Sequence, residues 1–163
     1  MKKILAFVMV MTLLLGCTAC GDSGSSSSGS DVSLRNIKDK MITADASLET
    51  LKYIDINASD SPDKFKTLVD FDYGKVEDYF YGFDKDGKAP EVIVVKVKDE
   101  ADVPDLVAAF KTRAADRKGT FENYDPDQVA LVEHYVLTHA GDTVAFIISE
   151  KNGLAEKAFK ECF

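Results

Sequence analysis

Hydrophobic positions recur at helical spacing in three parts of this chain. The spacing predicts a helix over about 34–51, a second over 102–118 and a third over 154–163. Two shorter helical stretches are expected, one at 62–68 and one that begins near 125. Apolar side chains along each helix form one stripe, and such a stripe usually packs against a core.

Four other runs are rich in aromatic and β-branched residues and are typical of strands, namely 76–83, 91–98, 133–139 and 143–149. An Asp-Gly pair separates the first two runs, and Ala-Gly-Asp separates the last two, so each pair predicts a β-hairpin. A hairpin followed by a helix occurs twice. We therefore expect an α+β fold, in which a four-stranded antiparallel sheet from two hairpins has helices packed on one face, plus an N-terminal helix.

The N-terminal segment has the pattern of a signal peptide. Lys2 and Lys3 precede an apolar run from Ile4 to Leu15 that only Thr12 interrupts. A helix of that length spans roughly 18 Å, whereas the hydrocarbon core of a bilayer is about 30 Å thick. The run is therefore too short for a stable membrane span and fits an export signal.

The residues that follow resemble the lipobox of bacterial lipoproteins. Leu14-Leu15-Gly16-Cys17 has the apolar, variable and small residues that precede the modified cysteine of this motif. The resemblance implies that the Cys17 thiolate is the nucleophile that receives a diacylglyceryl group. Cys20 is the alternative acceptor, and an ordinary cleaved signal peptide remains a third interpretation. With an anchor of this kind, the protein would be attached to the cell membrane and face outside the cytoplasm.

These features divide the chain into three parts. Residues 1–16 are the expected lipoprotein signal peptide, and 17–33 contain the lipidated cysteine and a Gly/Ser tether. Residues 34–163 are long enough for a single globular domain with one real core.

The charge of the chain restricts its partners. The net charge is −8, and basic residues do not cluster. Nucleic-acid binding needs clustered Lys and Arg that neutralise phosphates, so we expect no nucleic-acid partner. An acidic surface is also repelled by anionic lipids, so membrane contact is expected through the lipid anchor alone.

Motifs for catalysis, metals and cofactors are not evident in the sequence. It has no nucleophile elbow and no Gly-rich phosphate loop, so we expect neither enzyme activity nor a cofactor. Asp84-Lys85-Asp86-Gly87 lacks the other ligands of a calcium loop and is interpreted as a turn. His134 and His139 are five residues apart in an expected strand, and this odd spacing places them on opposite faces, so no shared metal is expected.

The densest aromatic cluster lies in the 76–83 run and is the main candidate for ligand contact. Alternation places Tyr79, Tyr81 and Phe83 on one face of the strand and Phe80 on the other. One set would line the core, and the other could form an exposed strip for a sugar or peptide. Two later residues have the same two interpretations, packing or ligand contact: Tyr124 and Gln128.

Spaced residues over 119–149 carry a family resemblance: Phe121, Tyr124, Pro126, Gln128, Gly141 and Ser149. Together with the 76–81 and 91–98 strands, they resemble a family of small lipoproteins of clostridia-like Gram-positive bacteria. That family is known only as a domain of unknown function (number forty-three fifty-eight). The resemblance covers about 34–163 and implies an anchored extracytoplasmic domain. The family has no established activity, so no catalytic residue carries over.

The sequence therefore favours a membrane-anchored lipoprotein that serves as a non-enzymatic binding or accessory domain at the cell surface. Two alternatives stay open. The domain could be an envelope enzyme with an unrecognised active site, or it could be a structural or adhesion module.

Overall fold

The computed structural model describes residues 32–163. The expected signal peptide, the tether, Cys17 and Cys20 lie outside these residues. Within 32–163, none of the helices combines the length and the hydropathy that a membrane span requires.

The domain is an α+β fold with five α-helices around one antiparallel sheet. The helices are α1 (Leu34–Ala44), α2 (Ser61–Leu68), α3 (Val103–Phe121), α4 (Pro126–Glu133) and α5 (Asn152–Lys160). The strands are β1 (Lys52–Asp55), β2 (Val76–Phe83), β3 (Glu91–Val97), β4 (Val136–Ala140) and β5 (Thr143–Ile148). Their order across the sheet is β1-β2-β3-β5-β4. The two expected hairpins, β2–β3 and β4–β5, are confirmed.

The sheet has five strands, so the expectation of four is wrong. The additional strand is β1, which lies at one edge and pairs with β2. Helical spacing of apolar residues continues past α1 to Leu51 in the sequence, but the helix ends at Ala44. The cause is Asp45, whose Oδ1 accepts a hydrogen bond from the backbone N–H of Ser47 at 3.0 Å and begins a short 3₁₀ helix. Such local bonds to Asp compete with helix continuation.

Helices cover both faces of the sheet, so the expectation of helices on one face is also wrong. α2, α3 and α4 pack on one face, and α1 and α5 pack on the other. The reason is that almost every residue of the two central strands, β3 and β5, is buried. A strand that is covered on both sides has a continuous apolar run, whereas a strand with one wet face alternates.

Each face of the sheet has its own hydrophobic core. The larger core, under α2–α4, contains these fully buried large side chains: Phe65, Tyr79, Ile93, Leu106, Phe110, Phe146 and Ile148. The smaller core, under α1 and α5, contains Ile37, Met41, Leu48, Ile147 and Phe159. Residues of β3 and β5 contribute alternately to the two cores, as the two-residue period of a strand requires.

A buried polar contact joins the two ends of the domain. Ser149, just after β5, donates a hydrogen bond from Oγ to Oδ2 of Asp45 at 2.6 Å. Both residues are almost completely buried, and a buried carboxylate needs such partners. Ser149, one of the residues that carry the family resemblance, therefore connects the sheet to the end of α1.

The last hairpin begins later than the sequence pattern indicates. The expected strand at 133–139 is β4, which starts at Val136, because α4 continues to Glu133. His134 follows the end of that helix, and its Nδ1 lies 2.7 Å from the carbonyl oxygen of Ala130. The prediction that both histidines lie in one strand is thus wrong for His134.

Gly82 in β2 gives a test of the packing on the smaller core. An added Cβ would lie 2.5 Å from the ring of Tyr53 and 3.0 Å from Val92. Tyr53 is held in place because its hydroxyl donates to the carbonyl oxygen of Leu48 at 2.9 Å. We expect Gly82→Ala to lower the free energy of unfolding by about 1–3 kcal/mol, the usual cost of overpacking, in urea denaturation followed by circular dichroism.

The matched control is Gly119→Ala. Gly119 lies inside α3, and a Cβ there would meet no atom within 4 Å. Alanine is favoured over glycine in a helix by about 1 kcal/mol, so this variant should be more stable than the parent. Equal destabilisation of both variants would contradict the crowding at Gly82.

Candidate functional site

The first residue of β3 is a fully buried glutamate. Glu91 has no solvent exposure, and α3 places Arg113 against it. Arg113 donates from Nε to Glu91 Oε1 at 2.8 Å and from Nη2 to Oε2 at 2.6 Å. Its Nη1 donates to the carbonyl oxygen of Leu68 at 2.6 Å, which connects α2 with α3. A planar guanidinium fits a carboxylate in this two-bond geometry, so the orientation of Arg113 is fixed as well as its charge.

A second arginine approaches the same carboxylate. Nε of Arg117 lies 3.6 Å from Glu91 Oε2, and its Nη2 donates to the carbonyl oxygen of Lys88 at 2.7 Å. Burial alone would lower the pKa of Arg113, but the charge and hydrogen bonds of Glu91 outweigh burial and raise that pKa. Two arginine side chains thus surround one buried carboxylate.

Beside this ion pair, the edge of the sheet carries a cleft with a volume of about 480 Å³. We call it the edge cleft. β1, β2, α2, the residue before α2, and α3 all contribute side chains to it. Its lining consists of Lys52, Ile54, Asp60, Lys64, Thr67, Leu68, Tyr81, Phe83 and Arg113. Volumes of several hundred Å³, with apolar walls and a few fixed polar groups, are typical of small-molecule sites.

Two stacked aromatic rings line the edge cleft. The rings of Tyr81 and Phe83 have centroids 5.0 Å apart and an interplanar angle of 26°. The hydroxyl of Tyr81 accepts a hydrogen bond from Arg113 Nη2 at 3.2 Å and donates to Glu91 Oε2 at 3.3 Å. Burial raises the pKa of Tyr81 to about 12, and the charge of Glu91 adds to that rise. The phenol is therefore protonated at neutral pH, and its ring is held in one orientation.

Of the four candidate contact residues from the sequence, Tyr81 is the one that lines the edge cleft. Tyr79 lies on the same face of β2, as alternation predicts, but it is completely buried. Its hydroxyl lies 2.9 Å from Ser61 Oγ and donates to the carbonyl oxygen of Ser61 at 3.1 Å. Tyr79 is thus a core residue that attaches α2 to the sheet.

The other two candidates lie outside the edge cleft. Tyr124 is 68% exposed, just after α3, and its ring centroid is 5.8 Å from that of Phe121. The side-chain oxygen of Gln128 accepts a hydrogen bond from the backbone N–H of Ala89 at 2.7 Å. Gln128 therefore joins α4 to the β2–β3 connection, which is a structural role.

Sequence reasoning missed Arg113, which lines the cleft, and Glu91, the buried carboxylate behind the cleft that holds Arg113 in place. A signal was present, because Arg113 and Arg117 lie three and seven residues after Phe110 and thus share its buried face. A charged residue on the core face of a helix implies a buried partner. The acid that begins an otherwise apolar strand is such a partner.

The Asp-rich loop between β2 and β3 is a turn, as the sequence predicts. Asp84 Oδ1 accepts hydrogen bonds from the backbone N–H groups of Asp86 and Lys88, and Gly87 has a φ of 80°. That backbone conformation favours glycine. In the part of the chain that the structure describes, no three His, Cys, Asp or Glu side chains are placed to hold a metal ion.

Comparison with known protein families identifies most of the domain. The family model described as "Domain of unknown function (DUF4358)" matches residues 50–149. This range contains all five strands, α2–α4, every residue of the edge cleft, and Glu91. No curated protein and no solved structure matches the chain.

The Glu91–Arg113 pair gives a stability prediction. Glu91→Gln keeps the shape of the side chain but leaves the guanidinium groups of Arg113 and Arg117, which are only 11% and 20% exposed, without their neutralising charge. We expect the free energy of unfolding to fall by about 3–5 kcal/mol, the range for breaking one side of a buried ion pair. Urea denaturation of the variant measures this loss.

Glu77→Gln is the control for that substitution. Glu77 pairs with Lys96 at 2.9 Å, but its side chain is 48% exposed. An exposed pair contributes about 0–1 kcal/mol. If Glu91→Gln cost no more than Glu77→Gln, the buried pair would not stabilise the fold.

Proposed function

The chain belongs to the DUF4358 family, and on that premise we propose that it is a lipid-anchored, extracytoplasmic binding domain whose ligand occupies the edge cleft. The observation that carries the binding part is the stacked pair of Tyr81 and Phe83 beside a guanidinium that Glu91 holds in place. Aromatic rings with a few fixed polar groups bind ligands at a low cost in conformational entropy.

The N-terminal sequence supports the anchored location. A short apolar run that ends at Gly16-Cys17 fits lipoprotein processing. Two acyl chains on one cysteine anchor a protein firmly, since each buried CH₂ contributes about 0.8 kcal/mol. The Gly/Ser tether after Cys17 would keep the domain roughly 15–20 Å from the lipid.

The position of the edge cleft supports a role in binding. The cleft lies entirely within the residues that the family model matches, on the face covered by α2–α4. The helices that cover the opposite face, α1 and α5, fall outside the matched range. The sequence allowed two roles for the aromatic residues on this face of β2, core packing and ligand contact. In the structure Tyr79 is buried in the core, whereas Tyr81 and Phe83 line the cleft.

Replacement of the lipidated cysteine tests the anchored location. We expect Cys17→Ala to abolish lipidation and to release the protein from the membrane fraction, because Cys17 is the thiol that directly follows Gly16 at the end of the apolar run. Cys20→Ala is the control and should stay lipidated. Intact-mass spectrometry that finds diacylglycerol on Cys17→Ala but none on Cys20→Ala would assign the modification to Cys20. If diacylglycerol is absent from both the parent protein and Cys20→Ala, the proposed lipid anchor is contradicted.

A ligand screen tests the role of the edge cleft. Sugars, short peptides and small aromatic compounds can be tested for their ability to raise the melting temperature of the purified protein. A ligand at 100 times its Kd adds about 2.7 kcal/mol of stability. We expect Phe83→Leu to reduce this stabilisation, since it removes one of the two stacked rings.

Tyr124→Leu is the matched control, because it removes an exposed aromatic ring outside the edge cleft. Stabilisation that survives Phe83→Leu but disappears in Tyr124→Leu would place the ligand elsewhere. Chemical conversion of the bound compound would favour the alternative of an envelope enzyme.

A further inference from the structure

The charges that line the edge cleft have the opposite sign to those of the protein as a whole. The chain has a net charge of −8, with 20 basic and 28 acidic residues. Residues 1–31 contain two lysines and two aspartates, so the described domain is equally acidic. In the cleft, however, Lys52, Lys64 and Arg113 face a single lining acid, Asp60. Even when Glu91 behind the cleft is counted against Arg113, a positive excess of one remains.

The acid in the cleft neutralises its neighbour weakly. Lys64 Nζ lies 3.8 Å from Asp60 Oδ2, and more than half of each side chain is exposed. An exposed pair at this distance is worth at most about 1 kcal/mol, so Lys64 can turn to a ligand. Lys52 is exposed and has no ionic partner among residues 32–163.

Arg113 offers one further donor at a fixed position. A guanidinium has five N–H groups. Four of those on Arg113 are used, two toward Glu91, one toward Leu68 and one toward Tyr81. The fifth, on Nη1, has no partner among the described residues. Because Glu91 prevents the guanidinium from turning, this donor needs no reorganisation to meet an acceptor.

We infer that the ligand of the edge cleft is a small molecule that combines a flat ring with an oxyanion group, either a carboxylate or a phosphate. The inference rests on the proposed function. The guanidinium of Arg113 lies over the ring of Tyr81, 5.5 Å from its centroid, and Phe83 stacks on the same ring. The ligand ring therefore packs against Phe83 and the edge of Tyr81, and the oxyanion is held by Lys52, Lys64 and the fifth N–H of Arg113. A neutral ring would use the aromatic pair alone, and a cationic ring would be repelled by the lysines.

Four probes of similar size separate the contribution of the ring from that of the charged group: phenyl phosphate, benzoate, phenol and benzylamine. Binding is measured by equilibrium dialysis at low salt against the mature lipidated protein in nanodiscs, with empty nanodiscs as the blank. We expect phenyl phosphate or benzoate to bind about tenfold more tightly than phenol, and benzylamine to bind most weakly. The tighter of the two anions identifies the group. Raising the salt should weaken anion binding and leave phenol unchanged.

Lysine variants assign the effect to the edge cleft. The double variant Lys52→Gln, Lys64→Gln should lose about tenfold in affinity for the anionic probe and none for phenol. Lys66→Gln is the matched control, since Lys66 is an exposed lysine of α2 that does not line the cleft. It should change neither affinity. Circular dichroism checks that each variant is folded.

The outcomes separate this inference from the proposed function. If benzylamine or phenol binds as tightly as the anions, and Phe83→Leu weakens that binding, the cleft binds aromatic rings. The inference that its ligand carries an oxyanion is then wrong. If anion binding is the same in the double lysine variant, the inference is also overturned. If no probe binds, the inference fails, and the wider ligand screen decides the proposed function. If probe binding withstands Phe83→Leu as well as the double variant, both the inference and the proposed function fail.

Discussion

The fold depends on one constraint: the two central strands, β3 and β5, are apolar on both faces. A sheet of this kind must be covered twice, because each uncovered face would leave a continuous hydrophobic surface in water. The middle of the chain covers one face with α2–α4, and the two ends of the domain cover the other with α1 and α5. The hydrogen bond between Ser149 and Asp45 then connects the end of β5 to the residue that follows α1.

The edge cleft lies where the helices no longer cover the sheet. β1 has only four residues, and α2 has only eight, so the side chains at the start of β1 and at the end of the antiparallel β2 extend beyond the covered area on this face. Tyr79, deeper in the same strand, is sealed under α2, while Tyr81 and Phe83 line a cavity. The position of one aromatic residue along β2, rather than its type, therefore decides whether it belongs to the core or to the cleft.

The buried ion pair gives this cleft its rigidity. Glu91 would be costly to bury alone, and Arg113 satisfies both of its oxygens. The same guanidinium bonds to the end of α2 and to the hydroxyl of Tyr81, so one side chain connects four elements around the cleft. A group that is structurally necessary thus also presents a fixed donor, which is the kind of preorganisation that binding sites use.

The sequence alone determined the elements whose signals are local: both hairpins, the α3 helix, the family, and the alternation that puts Tyr79 and Tyr81 on one face. These depend on residues close together in the chain, such as the turn glycines and the periodic apolar positions. Only the tertiary structure decided that β1 is a strand, that both faces are covered, and that Arg113 meets Glu91. Each of these depends on a partner far along the chain. A four-residue edge strand forms only because it pairs with a neighbouring strand, and a charged side chain is buried only where a counter-ion neutralises it.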